Sequence, residues 1–238
     1  MRSVLYLFLL IILSSFQTLN HNEIADPKVY LKDVKKQLTI EWPKNKTINL
    51  VFHGHSVPAG YFKTPDVRTF EAYPFQVLKE LKKLYPYAVI NVINTSIGGE
   101  HSKNGEKRFT ADVLTHKPDV LFIDYVLNDK GLGIDKAKEA WESMIKQALE
   151  KNIKVILLSP SPHQNYNIMD SDTYLDQHTT QIVEALAKKY NIGFVNSYGL
   201  FKKVITSRDS VVNYMSQVNH PNERGHGVIA KGIMEYFN

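Results

Sequence analysis

The chain of 238 residues is 43% hydrophobic and 22% charged, and it contains no cysteine. That balance excludes a disordered polypeptide and a disulfide-stapled scaffold, and the length suits one sizeable core. The formal charge of +5 lies on lysines scattered along amphipathic segments rather than in a basic stripe, which argues against nucleic acid as a partner.

Met1-Arg2 leads into an apolar run from Val4 to Leu13, followed by Ser14-Ser15. A positive start, a short apolar core and small polar residues describe a secretory signal peptide, expected over about 1–20. The apolar core is too short for a comfortable membrane span, so no stable membrane insertion is expected after its removal. The expected location is periplasmic or secreted. Residues 21–47 read as a polar lead-in that packs on the domain, with Ile40-Glu41-Trp42-Pro43 as its anchor, and 48–238 as the domain itself.

The domain opens with an apolar run from Ile48 that stops at Gly54-His55-Ser56, the pattern of a buried strand ended by a turn. A helix is predicted over Phe70 to Leu84, with Phe75, Leu78, Leu81 and Leu84 on its apolar face. The β-branched run Ala88 to Ile93 predicts a second strand, ending in Asn94-Thr-Ser-Ile-Gly-Gly-Glu100. Then come a helix over Gly105 to Thr115, a strand over Pro118 to Tyr125 ending in Val126-Leu-Asn-Asp129, and a helix over Asp135 to Asn152. A strand over Lys154 to Ser159, a loop to Asp172 and a helix over Thr173 to Tyr190 follow. A short strand at Gly193 to Asn196 and a final helix over Glu223 to Phe237 complete the series. Strands that are nearly all apolar, alternating with helices, require a parallel sheet covered on both faces. The predicted architecture is therefore α/β: a three-layer α/β/α sandwich with a five-stranded parallel sheet.

In such a sheet the crevice beyond the carboxyl ends of the strands binds ligands. A serine delivered there, as Ser56 is, can be a nucleophile if a histidine reaches it, or a plain helix cap if none does. Gly98-Gly99 and Asn128 end neighbouring strands, and His220 lies in Gln217-Val-Asn-His220-Pro, just before the last helix.

These blocks, in this order, resemble the SGNH (GDSL-like) hydrolase superfamily, from about Ile48 to the C-terminus. The resemblance implies the flavodoxin-like SGNH fold and a serine hydrolase acting on carboxylic esters without cofactor or metal. It implies Ser56 as nucleophile, His220 as general base, and an oxyanion hole of the Ser56 and Gly99 N–H groups with the Asn128 amide. The sequence departs from the pattern in three places. His55 stands where an aspartate is usual in the nucleophile block, Val126 where a glycine precedes the asparagine, and Gln217 where an aspartate orients the histidine. Gln217 is thus the expected orienting residue, its oxygen accepting the His220 ring N–H; a neighbouring carbonyl, or Asp209 as a substitute carboxylate, could serve instead. His53 and His55 would share a strand face with His101 near by, but no acidic ligand spacing supports a metal site. Tyr61, Arg68 and Tyr73 are candidates to touch substrate.

The expected activity is that of an exported esterase forming an acyl-serine intermediate, with a carbohydrate O-acetyl ester (deacetylase-type) as the favoured substrate, small or polymeric. The alternatives are a catalytically weakened carbohydrate-binding protein on the same fold, with Gln217 marking the loss, and an O-acyltransferase using the same serine.

Overall fold

The computed structural model describes residues 22–205 and 209–238, so the expected leader lies outside the described residues. The lead-in forms two short helices, α1 (Pro27–Tyr30) and α2 (Lys32–Leu38). Its anchor is not Trp42, which is 83% exposed, but Leu31, Val34 and Leu38, which are buried in the main core. Their i, i+3, i+7 spacing is that of one helix face. The Tyr30 hydroxyl accepts from the Val155 N–H and donates to the Val155 carbonyl, both at 3.0 Å, and the Ala25 N–H donates to the Ile192 carbonyl at 3.2 Å. These bonds satisfy backbone groups at the end of the sheet that strand pairing leaves open. Replacing Leu31 by alanine is expected to cost about 2–5 kcal/mol of stability, measured by chemical denaturation.

Next come β1 (Thr47–Gly54), α3 (Ser56–Ala59) and α4 (Tyr73–Leu84). Helix α4 starts three residues later than expected because Pro74 fits only in a first turn; deeper in a helix its ring would meet the Phe70 carbonyl. Its buried face is Tyr73, Val77 and Leu81, while Leu84 is half exposed. They are followed by β2 (Val89–Asn94), α5 (Ser102–Asp112), β3 (Val120–Asp124) and α6 (Val126–Asp129). Helix α5 begins ahead of the expected Gly105 because the His101 side chain caps it, Nδ1 accepting from the Asn104 N–H at 3.3 Å. The chain continues through α7 (Ile134–Leu149), β4 (Lys154–Leu158), α8 (Tyr174–His178), a wide π-type turn at Thr179–Glu184 and α9 (Ala185–Tyr190). After β5 (Gly193–Val195) comes a helix the periodicity did not announce, α10 (Ser197–Val204), capped by the Asn196 side chain. The last elements are β6 (Met215–Gln217), β7 (His220–Pro221) and α11 (Glu223–Met234).

The main sheet has five strands in the order β2-β1-β3-β4-β5, all parallel, flanked by helices in a three-layer α/β/α sandwich. Strand β1 lies between β2 and β3, with Phe52 opposite Phe122 and Gly54 opposite Asp124. The Phe52 and Phe122 rings stack at 4.4 Å. Because β1 connects to β2 on one side and β3 lies on its other side, the strand order reverses at β1. That reversal opens the crevice beyond the carboxyl ends of these strands. Ser56, the glycine loop after β2, and Asn128 all emerge at this edge.

Candidate active site

The first strand delivers Ser56 into the first turn of α3, where it is 8% exposed. From the other end of the domain, the small β6–β7 hairpin delivers His220. The His220 Nε2 lies 2.8 Å from Ser56 Oγ, a contact between residues 164 apart in sequence. The other ring nitrogen, Nδ1, lies 2.9 Å from the Phe62 carbonyl oxygen. A carbonyl can only accept, so this bond places the ring hydrogen on Nδ1 and turns the Nε2 lone pair toward the serine hydroxyl. That is the tautomer a general base needs. Burial holds the His220 pKa below the ordinary histidine value, with the Phe62 carbonyl pulling the other way.

Gln217 does touch His220, but through a different atom from the one expected. Its Oε1 accepts the Thr64 N–H at 3.0 Å, and this leaves the amide nitrogen 2.8 Å from His220 Nδ1. With the ring hydrogen on Nδ1, two donors face each other there. As placed, the amide keeps the Thr64 bond through its oxygen and presents its nitrogen to the ring. Asp209 supplies no substitute carboxylate: it takes hydrogen bonds from Asn213, from Tyr214 at 2.8 Å and from Arg224 at 2.8 Å.

The glycine loop is pinned to the end of β1. The Thr95 N–H donates to the Phe52 carbonyl at 2.9 Å, and the Ile97 N–H to the Gly54 carbonyl at 3.0 Å. Gly99 has φ +77°, a left-handed conformation that glycine adopts without steric cost. Among the described residues neither the Gly99 N–H nor the Ser56 N–H has a protein acceptor. Asn128 belongs to α6, and its Nδ2 donates one hydrogen to the Glu100 carbonyl at 2.9 Å. That bond ties the amide to the glycine loop and leaves its second N–H free. Three unused donors therefore belong to the segments beside the serine.

Below this loop lies a buried polar cluster that residue spacing did not reveal. The Glu100 carboxylate is gripped by the Arg108 guanidinium and accepts the Tyr125 hydroxyl at 2.8 Å. Tyr125 also meets His53 Nε2 at 3.0 Å, and His53 Nδ1 meets Thr95 Oγ1 at 2.9 Å. Burial pushes the His53 pKa down to about 4 and the Tyr125 hydroxyl well up. The ring is thus neutral, and the cluster is a support for the loop that carries Gly99. The only forewarning in the sequence was that a glutamate follows the glycine pair.

The three histidines expected near one another make separate contacts. His53 supports the loop, His55 faces Asp124, and His101 caps α5. Strand β1 ends at Gly54, so His55 sits on a turn and does not share a strand face with His53. Among the described residues no three His, Asp or Glu side chains are grouped to hold a metal ion. Of the candidate substrate contacts, Tyr61 lies beside the site, its ring 6.1 Å from that of His220. Tyr73 is fully buried, and Arg68 is paired with Asp66 at 2.7 Å.

Comparison with known proteins places the chain in a family. Residues 52–228 match the model of the GDSL-like lipase/acylhydrolase family. An acetylxylan esterase of Geobacillus stearothermophilus is 23% identical over 174 residues, covering 68% of this chain and 78% of the relative. The crystal structure of Axe2, an acetylxylan esterase from Geobacillus stearothermophilus, superposes with a TM-score of 0.69 at 22% identity, covering 80% of this chain and 94% of that one. A two-domain esterase active on acetylated mannans superposes with a TM-score of 0.73 at 24% identity and covers 91% of this chain. This chain spans about half of that protein, 54% of its length. At such identities the superpositions establish the fold; the family model, which spans most of the chain, establishes membership. The chain belongs to the GDSL-like lipase/acylhydrolase family of the SGNH superfamily, serine hydrolases that act on carboxylic esters.

Proposed function

We propose that the protein is an exported carbohydrate esterase that removes O-acetyl groups through an acetyl-Ser56 intermediate. The observation that carries the chemistry is the 2.8 Å approach of His220 Nε2 to Ser56 Oγ, with the ring hydrogen held on Nδ1 by the Phe62 carbonyl. His220 takes the serine proton as Oγ attacks the acetyl carbonyl. The Ser56 and Gly99 N–H groups and the Asn128 amide receive the negative charge on the former carbonyl oxygen. The C–O bond to the sugar then breaks, and the leaving oxygen takes the proton back from His220. Water, deprotonated by the same histidine, adds to the acetyl-serine and releases acetate and free enzyme. The dyad orients its histidine by a backbone carbonyl, and Gln217 lends it no negative charge.

The carbohydrate assignment is supported by the relatives, one an acetylxylan esterase and the other active on acetylated mannans. Export is supported by the leader-like first twenty or so residues, with 21–238 as the mature protein and 48–238 as its hydrolase domain. Among the described residues no helix is long and apolar enough to cross a membrane. The test is acetate release from acetylated xylan and acetylated mannan beside p-nitrophenyl acetate. Turnover of the small ester with neither polymer attacked would overturn the carbohydrate assignment.

A further inference from the structure

His55 and Asp124 are buried directly behind the nucleophile, yet the reaction above makes no use of them. His55 is the residue before Ser56 and caps α3, with Nδ1 accepting the Val57 N–H at 3.1 Å. An acceptor nitrogen carries no hydrogen, so in the neutral ring the hydrogen sits on Nε2. That nitrogen is fully enclosed and makes no hydrogen bond among the described residues; Asp124 Oδ1, likewise without a hydrogen-bond partner, lies 3.3 Å away, close enough for its negative charge to favour a hydrogen on that side of the ring. The other carboxylate oxygen, Oδ2, accepts the Tyr73 hydroxyl at 3.1 Å. Asp124 also holds residue 55 by its backbone, its carbonyl accepting the His55 N–H at 3.2 Å. The two strands come this close because residue 54 is glycine: a Cβ there would lie 2.4 Å from the Asp124 carbonyl oxygen.

We propose that His55 and Asp124 act as a positioning pair for the nucleophile turn. Asp124 selects the His55 tautomer that caps Val57, and the cap fixes the turn so that the Ser56 N–H stays directed as an oxyanion donor. The physical logic is that of a helix N-terminus. Its first N–H groups have no intrahelical partner, and a side-chain acceptor at the cap decides which is occupied and which stays free. In α3 the cap occupies Val57 and leaves Ser56. Helix α3 is a single turn. Without the cap, the Val57 N–H is buried and unpaired, the turn relaxes, and both the Oγ and the N–H of Ser56 lose their fixed aim. Neither His55 nor Asp124 touches the reacting atoms; both work through residues 56 and 57.

The proposal rests on the esterase reading of Ser56, and the experiment separates the two. Kinetics with p-nitrophenyl acetate are compared for the wild type, Ser56→Ala, His55→Ala, His55→Asn and Asp124→Asn, with thermal melting run beside them. His55→Ala is expected to lower kcat about tenfold while KM moves less than about twofold, as for a partly misaligned oxyanion donor. His55→Asn is expected to recover most of that loss, since its Oδ1 can cap the Val57 N–H. Equal kcat for the alanine and asparagine variants, or no loss in either, would overturn the proposal. Should the alanine variant fail to fold, ¹⁵N NMR of the imidazoles in the wild type decides. A hydrogen on His55 Nε2 is expected, with a mixed tautomer in Asp124→Asn; a hydrogen on Nδ1 in the wild type overturns the proposal. Wild-type turnover no faster than that of Ser56→Ala would refute the esterase reading itself, and with it the pair's catalytic meaning.

Discussion

Ser56→Ala is expected to reduce ester turnover at least about 10⁴-fold, and His220→Ala to a similar extent, with the double variant scarcely worse than either. The two side chains form one device. Serine alone is a poor nucleophile, and the imidazole at 2.8 Å matters only for the proton it takes from that serine. Once either is gone, the remaining partner has nothing to act on, so the losses do not add. The kcat values of the two single variants and of the double variant check this directly. Losses that multiplied would mean that the two residues act independently and that another base serves Ser56. The kcat/KM of the wild type should rise with pH through the His220 ionisation. Burial places that limb below the ordinary histidine value of 6.5, because the enclosed ring resists the charge.

Gln217→Glu is expected to be a gain of function. The substitution changes little in shape: one oxygen can keep the Thr64 N–H, and the other takes the place of the amide nitrogen now 2.8 Å from His220 Nδ1. A donor facing the ring becomes a charged acceptor. In the wild type the amide opposes a positive ring, and the Phe62 carbonyl offers a dipole rather than a charge. A carboxylate there would stabilise the imidazolium that forms as Ser56 attacks, and plateau kcat should rise about tenfold to a hundredfold, equivalent to about 1.4–2.7 kcal/mol. The sign of the accompanying pH change follows from the same charge. An opposite charge favours the protonated ring, so the acidic limb of the profile must move to higher pH. The measurement is the full kcat/KM profile of both proteins. An unchanged limb would mean that position 217 does not communicate with the ring, and that the 2.8 Å contact has no catalytic weight.

The elements most legible in the sequence were those with the strongest local pattern. The apolar runs at Ile48, Pro118 and Lys154 have strands within them because a strand buried on both faces is apolar at nearly every position, while the β-branched run at Ala88 forms the half-exposed edge strand β2. Boundaries failed where a single side chain sets them. Pro74 moves the start of α4, His101 caps α5 without being a usual capping residue, and Asn196 starts α10, a helix of 8 residues too short to announce its period. The lead-in went wrong for a different reason: Trp42 is the largest apolar residue near its end but finds no core to enter, whereas Leu31, Val34 and Leu38 share one face.

By itself the sequence determined the layered α/β architecture and the order of the blocks that hold Ser56, Gly99, Asn128 and His220. Both follow from short-range pattern, since alternation, turn residues and block order can be read along the chain. Only the tertiary structure decided what each group does with its neighbours. The Nδ1 acceptor is a backbone carbonyl at Phe62, 158 residues from His220, and no side-chain pattern announces a carbonyl. The atom that Gln217 turns to the ring is decided by the Thr64 N–H, 153 residues away. Asp124 comes to stand behind Ser56 because β1 and β3 are neighbours in register, with Gly54 opposite it. A parallel sheet joins strands through long crossovers, so residues that meet at its edge lie far apart in the chain, and local pattern cannot specify how they pair.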